Sequence, residues 1–144
     1  MAYNAGVTRY QKKKWMDELV TKIGAGSLKM SIHSTTTTWD ATTDPSTPQV
    51  YGTTGELTST GTGYTAGGYV LTAANLTASG NAYQLDFADV VTSAGTIATG
   101  TYCGCIYDTT DSSRVLAICT MTVTQASAGG AMTFTIPANA IALT

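Results

Sequence analysis

Catalysis in a chain of this size has to run through few side chains, and His33 is the only histidine among 144 residues. A Ser/His/Asp mechanism would need that ring as its base. Leu28, Met30 and Ile32 alternate with Lys29, Ser31 and His33, a period of two that predicts a half-buried strand with His33 on its polar, solvent-facing side. No G-x-S-x-G turn occurs to present a nucleophilic serine, and a cysteine nucleophile would lack a partner for the same reason. Asp86 and Asp89 are close enough in sequence to invite a glycosidase reading, which needs two carboxylates across a cleft. Their place near a strand end fits acids that face water or cap a turn.

Metal and phosphate chemistry find no better footing. Cys103, Cys105 and Cys119 lie in apparent strands. The C-x-C pair lacks the two-to-four-residue spacer of structural zinc sites, and His33 is remote in sequence. Two cysteines on the same strand face are poorly placed to bridge each other, so all three read as small core hydrophobes of a chain made in a reducing cytosol. Asp108 and Asp111 lack the spacing of a calcium loop. Gly61, Gly63, Gly67 and Gly68 are followed by neither G-K-[ST] nor a helix, so they are expected to supply positive φ or close backbone approach. Asn75-Leu76-Thr77 is a glycosylation sequon, but no signal peptide is legible in MAYNAGVTRYQKKKW. No catalytic, cofactor-binding or metal-ligating residue is expected.

Composition says what such a chain does instead. Charged residues make up 11% of it, under half the usual share of about 25%, while 29 residues are threonine. Low charge opposes disorder, and β-branched threonine with 15 glycines favours strands and tight turns. The charge is also uneven. Residues 1–29 carry six Lys and Arg against two acids, a net +4; the rest carries Arg114 against seven acids, a net −6, which sums to the −2 of the whole chain. A body so poor in Lys and Arg is not expected to grip nucleic acid, and no apolar run is long enough for a membrane helix.

The elements follow from periodicity. Residues 8–23 (TRYQKKKWMDELVTKI) predict one helix: Trp15, Met16, Leu19, Val20 and Ile23 form a single stripe, Thr8 is a fitting N-cap, and Gly24 and Gly26 stop it. Its lysines sit early, against the helix dipole, so Lys12, Lys13 and Lys14 are either solvated or held for a partner. Residues 34–49 (STTTTWDATTDPSTPQ) have no period and read as a long loop or arm around Trp39. From Val50 onward the pattern is β: a short strand from Leu76, alternation at Tyr83, Leu85 and Phe87, and two long runs, Ile97–Tyr107 and Arg114–Val123, joined as a hairpin. Met132, Phe134 and Ile136, then Ile141 and Leu143, give the last strands. The expected fold is mainly β, a sandwich or jelly-roll of about eight strands with one N-terminal helix and a long Thr-rich arm. It forms one domain: a basic helix over residues 1–26, the arm over 34–49 and a β-body over 50–144.

Thr-rich, charge-poor surfaces desolvate at little cost when hydroxyls find partners, and subunit interfaces are depleted of charge at their centres. Contacts are therefore expected at Lys12, Lys13, Lys14 and Trp15 on the helix, at Trp39 on the arm, and at the loop around Tyr64.

The runs GTGYTAGGYVL (61–71), LDFADVV (85–91), CIYDTTDSSRVLAI (105–118) and MTFTIPANAIAL (132–143) resemble small virion structural proteins of tailed bacteriophages, as does the order of helix, strand, Thr-rich arm and β-body. The resemblance spans most of the chain and rests on structural motifs. It implies a non-enzymatic, multi-copy virion component made in the host cytoplasm, a capsid decoration or cement protein. Its partners would be the major capsid protein and copies of itself, as a dimer or trimer. Two other roles are compatible with the sequence: a head–tail connector or tail component, and a receptor- or carbohydrate-binding sandwich using Tyr51, Tyr64, Tyr69 and Trp39 as stacking residues.

Overall fold

The computed structural model describes residues 7–34, 49–72, 75–80, 82–123, 128–136 and 140–143. Trp39 and nearly all of the expected arm lie outside the described residues. One helix and nine strands are found among those described: α1 (Arg9–Gly24), β1 (Leu28–His33), β2 (Tyr69–Val70), β3 (Asn75–Ser79), β4 (Ala82–Asp86), β5 (Val90–Val91), β6 (Gly100–Asp108), β7 (Arg114–Val123), β8 (Thr133–Phe134) and β9 (Ile141–Leu143). The fold is mainly β and sandwich-like, as its composition and periodicity predict.

Helix α1 begins where Thr8 accepts a hydrogen bond from the Gln11 N–H at 3.2 Å, satisfying one of the donors a helix start leaves open. Met16 and Ile23 are buried from its apolar stripe, whereas Trp15 stays exposed. The chain turns out of the helix through Gly26, in the left-handed region at φ +69°.

All strand pairing is antiparallel. A four-stranded sheet runs in the order β2-β1-β6-β7, a three-stranded one in the order β3-β4-β9, and β5 pairs with β8. The β6–β7 hairpin is the longest ladder, from Gly100 opposite Val123 to Asp108 opposite Arg114. Its turn holds Ser112 and Ser113 at positive φ. The core gathers Met16 from the helix, Leu28, Met30, Ile32 and Ile106 from the larger sheet, Leu85 from β4, and Phe134 from β8. The last predicted run is shorter than its alternation implies: β8 spans two residues, although Ile136 beyond it is buried as expected.

Two glycines explain local sequence. Gly68 sits at φ +79°, and a Cβ there would lie 2.2 Å from the Met30 carbonyl oxygen. Gly104, between Cys103 and Cys105, leaves room for the Cys119 sulfur, which a Cβ would meet at 2.7 Å. The unusual Cys-Gly-Cys run thus reflects the bulk of sulfur side chains facing it across the sheet.

One expectation fails. β1 is not half-buried: Ser31 and His33 are as fully buried as Leu28, Met30 and Ile32. Residues 51–57 fold against β1 and cover its polar face. His33 bridges to Glu56, Ser34 N–H donates to Gly55 O at 2.8 Å, and Leu57 N–H donates to Ile32 O at 2.8 Å.

Candidate functional site

Helix α1, strand β7 and strand β9 meet around a groove of about 350 Å³, lined by Trp15, Leu19, Leu116, Ile141 and Leu143 with Glu18 and Lys22. Trp15 is 42% and Leu116 40% exposed, so two large apolar side chains of the groove face solvent. The helix presents Trp15 because Met16 points into the core, which turns the adjacent position outward. Leu116 arrives through a β-bulge. Tyr107 pairs with Val115 and Ile106 with Ala117, leaving Leu116 as the extra residue, and bulges re-aim side chains in this way.

The groove is anchored by a charge pair. Lys22 donates to the carboxylate of Asp108, which is 1% exposed and also accepts from the Thr110 N–H at 2.9 Å and the Thr110 hydroxyl at 2.7 Å. Burial works against ionisation of Asp108, but these donors outweigh it and hold the carboxyl below its ordinary range. The ends of α1 and β6 are thereby tied together. Of the helix lysines, Lys13 pairs with Asp17 at 2.6 Å on the surface, Lys14 is exposed and Lys12 is half-buried. The structure therefore places Lys13, Lys14 and Trp15 on the accessible surface, where the sequence expects contacts.

Tyr64 is a correction. It is 3% exposed, and its hydroxyl donates to Glu56 Oε1 at 2.7 Å and accepts from the Ile32 N–H at 3.2 Å. Glu56 also accepts from the Tyr51 hydroxyl and the Gly67 N–H, each at 2.7 Å. Burial, reinforced by the bonds to Glu56, pushes both phenols well above their ordinary pKa. Tyr51 stacks on Tyr107 with centroids 4.3 Å apart, and Tyr69 donates to Gly63 O at 3.2 Å. The tyrosines that a carbohydrate reading would use as stacking platforms instead pin residues 51–69 to the sheet. The signal was the loop GTGYTAGG: its four glycines take positive φ, which lets the chain fold tightly enough to bury the tyrosine between them.

His33 is the second correction, since it is fully buried rather than on the surface. Its Nδ1 lies 3.1 Å from Thr54 O and its Nε2 2.9 Å from Ser31 Oγ. A carbonyl only accepts, so Nδ1 carries the proton and Nε2 accepts from the serine hydroxyl. Burial lowers the pKa of this ring, against opposing effects from the Thr54 carbonyl and Glu56. Serine, imidazole and carbonyl stand in the order of a nucleophile, its base and an orienting group. Ser31 and His33 are nonetheless both fully buried, and neither lines the groove.

The other reactive groups are tied into the fold. Cys103, Cys105 and Cys119 are free thiols, all buried as the sequence predicts. Burial pushes all three up, Cys105 to about 12 and Cys119 to about 11, which suppresses thiolate chemistry. Asp86 accepts from the Phe87 N–H and Asp89 from the Ile136 N–H, both at 2.9 Å, so each satisfies local backbone. Among the described residues no group of three or more His, Cys, Asp or Glu is placed to hold a metal ion, and no helix is long and apolar enough to cross a membrane.

The groove itself was only partly legible. Trp15 stands out in sequence, but Leu116, Ile141 and Leu143 read as ordinary strand residues. No alternation pattern reveals that a bulge turns Leu116 toward the helix. No family model, curated protein or solved structure matches this chain.

Proposed function

We propose that this chain is a non-enzymatic structural protein of a tailed-phage virion. In this reading it is a multi-copy decoration or cement protein, made in the host cytoplasm, that binds the major capsid protein and stabilises the head. The observation that carries the reading is the groove at Trp15 and Leu116, an apolar recess rimmed by Glu18 and Lys22. A tryptophan set in a recess and rimmed by charge is the kind of anchor on which binding energy concentrates. Among the described residues, Ser31, His33 and the three cysteines are buried in the fold, which supports binding over turnover. Each copy needs only a modest contact, because many copies on a repeating shell act together.

The test uses purified heads assembled without this protein. Wild-type protein is expected to cosediment with them to a saturating, stoichiometric ratio. Trp15→Ser, with its fold checked by circular dichroism, is expected to bind at least about tenfold more weakly. Failure of the wild-type protein to bind heads would overturn the reading. A connector or tail role would use the same groove but would put binding at the neck or tail, at a far lower copy number.

A further inference from the structure

The edges of the two main sheets are not equally protected. On the β1 side of the larger sheet, β2 and the segment around Glu56 occupy the edge. On the other side β7 is the last strand, ten residues long. Its outer edge is bonded at its start, where the Val115 N–H donates to Gln49 O and the Tyr51 N–H to Ser113 O, both at 2.8 Å. From Leu116 to Val123, no further backbone partner outside β6 occurs among the described residues.

Monomeric proteins blunt such an edge with charge, proline or a bulge. Residues 115–123 contain neither charge nor proline, and the single bulge, at Leu116, leaves 117–123 regular. Cys119, Met121 and Val123 are buried on one face while Thr120 and Thr122 are exposed on the other.

We propose that β7 pairs antiparallel with β7 of a second copy of this chain about a two-fold axis at Thr120. That register sets Thr120 beside its own mate, Ile118 beside Thr122, Cys119 beside Met121, and Ala117 beside Val123. Every such pair is uncharged, and buried-face residues meet buried-face residues, the condition that fixes register. A two-fold contact needs one self-complementary surface, which this stretch supplies. The product is a continuous eight-stranded sheet, β2-β1-β6-β7 joined to β7-β6-β1-β2. The inference goes beyond shell binding and does not depend on it: Trp15 lies outside the paired stretch.

The test is the mass of the isolated full chain, by sedimentation equilibrium over micromolar to sub-millimolar concentrations. A dimer is expected. Thr120→Lys with Thr122→Lys, both on exposed side chains, is expected to raise the dissociation constant about a hundredfold or more, by setting like charges opposite each other at position 120 and diagonally between positions 120 and 122. Thr77→Lys on β3, the exposed edge of the smaller sheet, is expected to leave the dimer intact, as is Trp15→Ser. Amide exchange of wild-type residues 117–123 should slow as concentration rises, which tests the edge without any substitution. A wild-type monomer throughout the range, a dimer that survives the double lysine change, or exchange independent of concentration would overturn the proposal. Loss of head binding by Trp15→Ser with the dimer intact separates the two interfaces.

Discussion

His33 is the residue at which local pattern and three-dimensional setting diverge most. Alternation along β1 puts it with Lys29 and Ser31, facing water. Segment 51–57 then covers that face, a contact between distant parts of the chain that no strand period encodes. The consequence is a pH dependence with a defined sign. The folded state holds the ring's pKa below its ordinary value, whereas the unfolded chain takes up a proton near pH 6.5. Below about pH 6.5 the unfolded state therefore binds more protons, and stability falls as pH drops, by at most about 1.4 kcal/mol per pH unit. Because His33 is the only histidine, His33→Gln should abolish the slope that sets in below about pH 6.5 and ends where the folded ring takes up its proton, even while lowering stability at neutral pH. Denaturant titrations across that range check it. Asp108 contributes in a lower window. Its depressed pKa gives stability that is present above about pH 4 and lost as pH falls through its folded value. Its burial against Lys22 was not legible, since an aspartate opening a turn ordinarily faces water.

At the scale of elements, the sequence was informative wherever structure is local. The helix, its Thr8 cap, the long hairpin and the alternation of β4 all follow from spacing and turn chemistry. The glycines of residues 61–68 were legible as positions of positive φ, but not for what they pack against. Gly68 is the sharpest case, with both a left-handed backbone and the Met30 carbonyl where a side chain would begin. Gly68→Ala is expected to destabilise the fold by about 2–4 kcal/mol, read as a lower denaturant midpoint at unchanged slope. The bulge at Leu116 was illegible, because the run Val115-Leu116-Ala117-Ile118 is apolar throughout and offers no alternation from which a slipped register can be read. That bulge turns part of a strand into one wall of the groove, so the candidate site depends on a feature of the ladder that composition does not express.

For the whole molecule, the uneven charge noted in sequence acquires a location. Lys13 and Lys14 stand on the outer surface of α1, which also carries Trp15, while the exposed residues described in the β-body are nearly all uncharged, with threonine the commonest. The two proposed contacts, one partner at the helix and groove and a second copy at the edge of β7, would suit repetition over a lattice, where closed symmetry multiplies a modest contact. The proposed multi-copy structural role in the virion is tested by counting this chain in purified particles with isotope-labelled peptide standards. On the order of hundreds of copies per particle are expected, matched to the repeats of a closed shell. Absence from the particle would contradict it, and so would a count of about six or twelve, the number a neck or tail ring would hold.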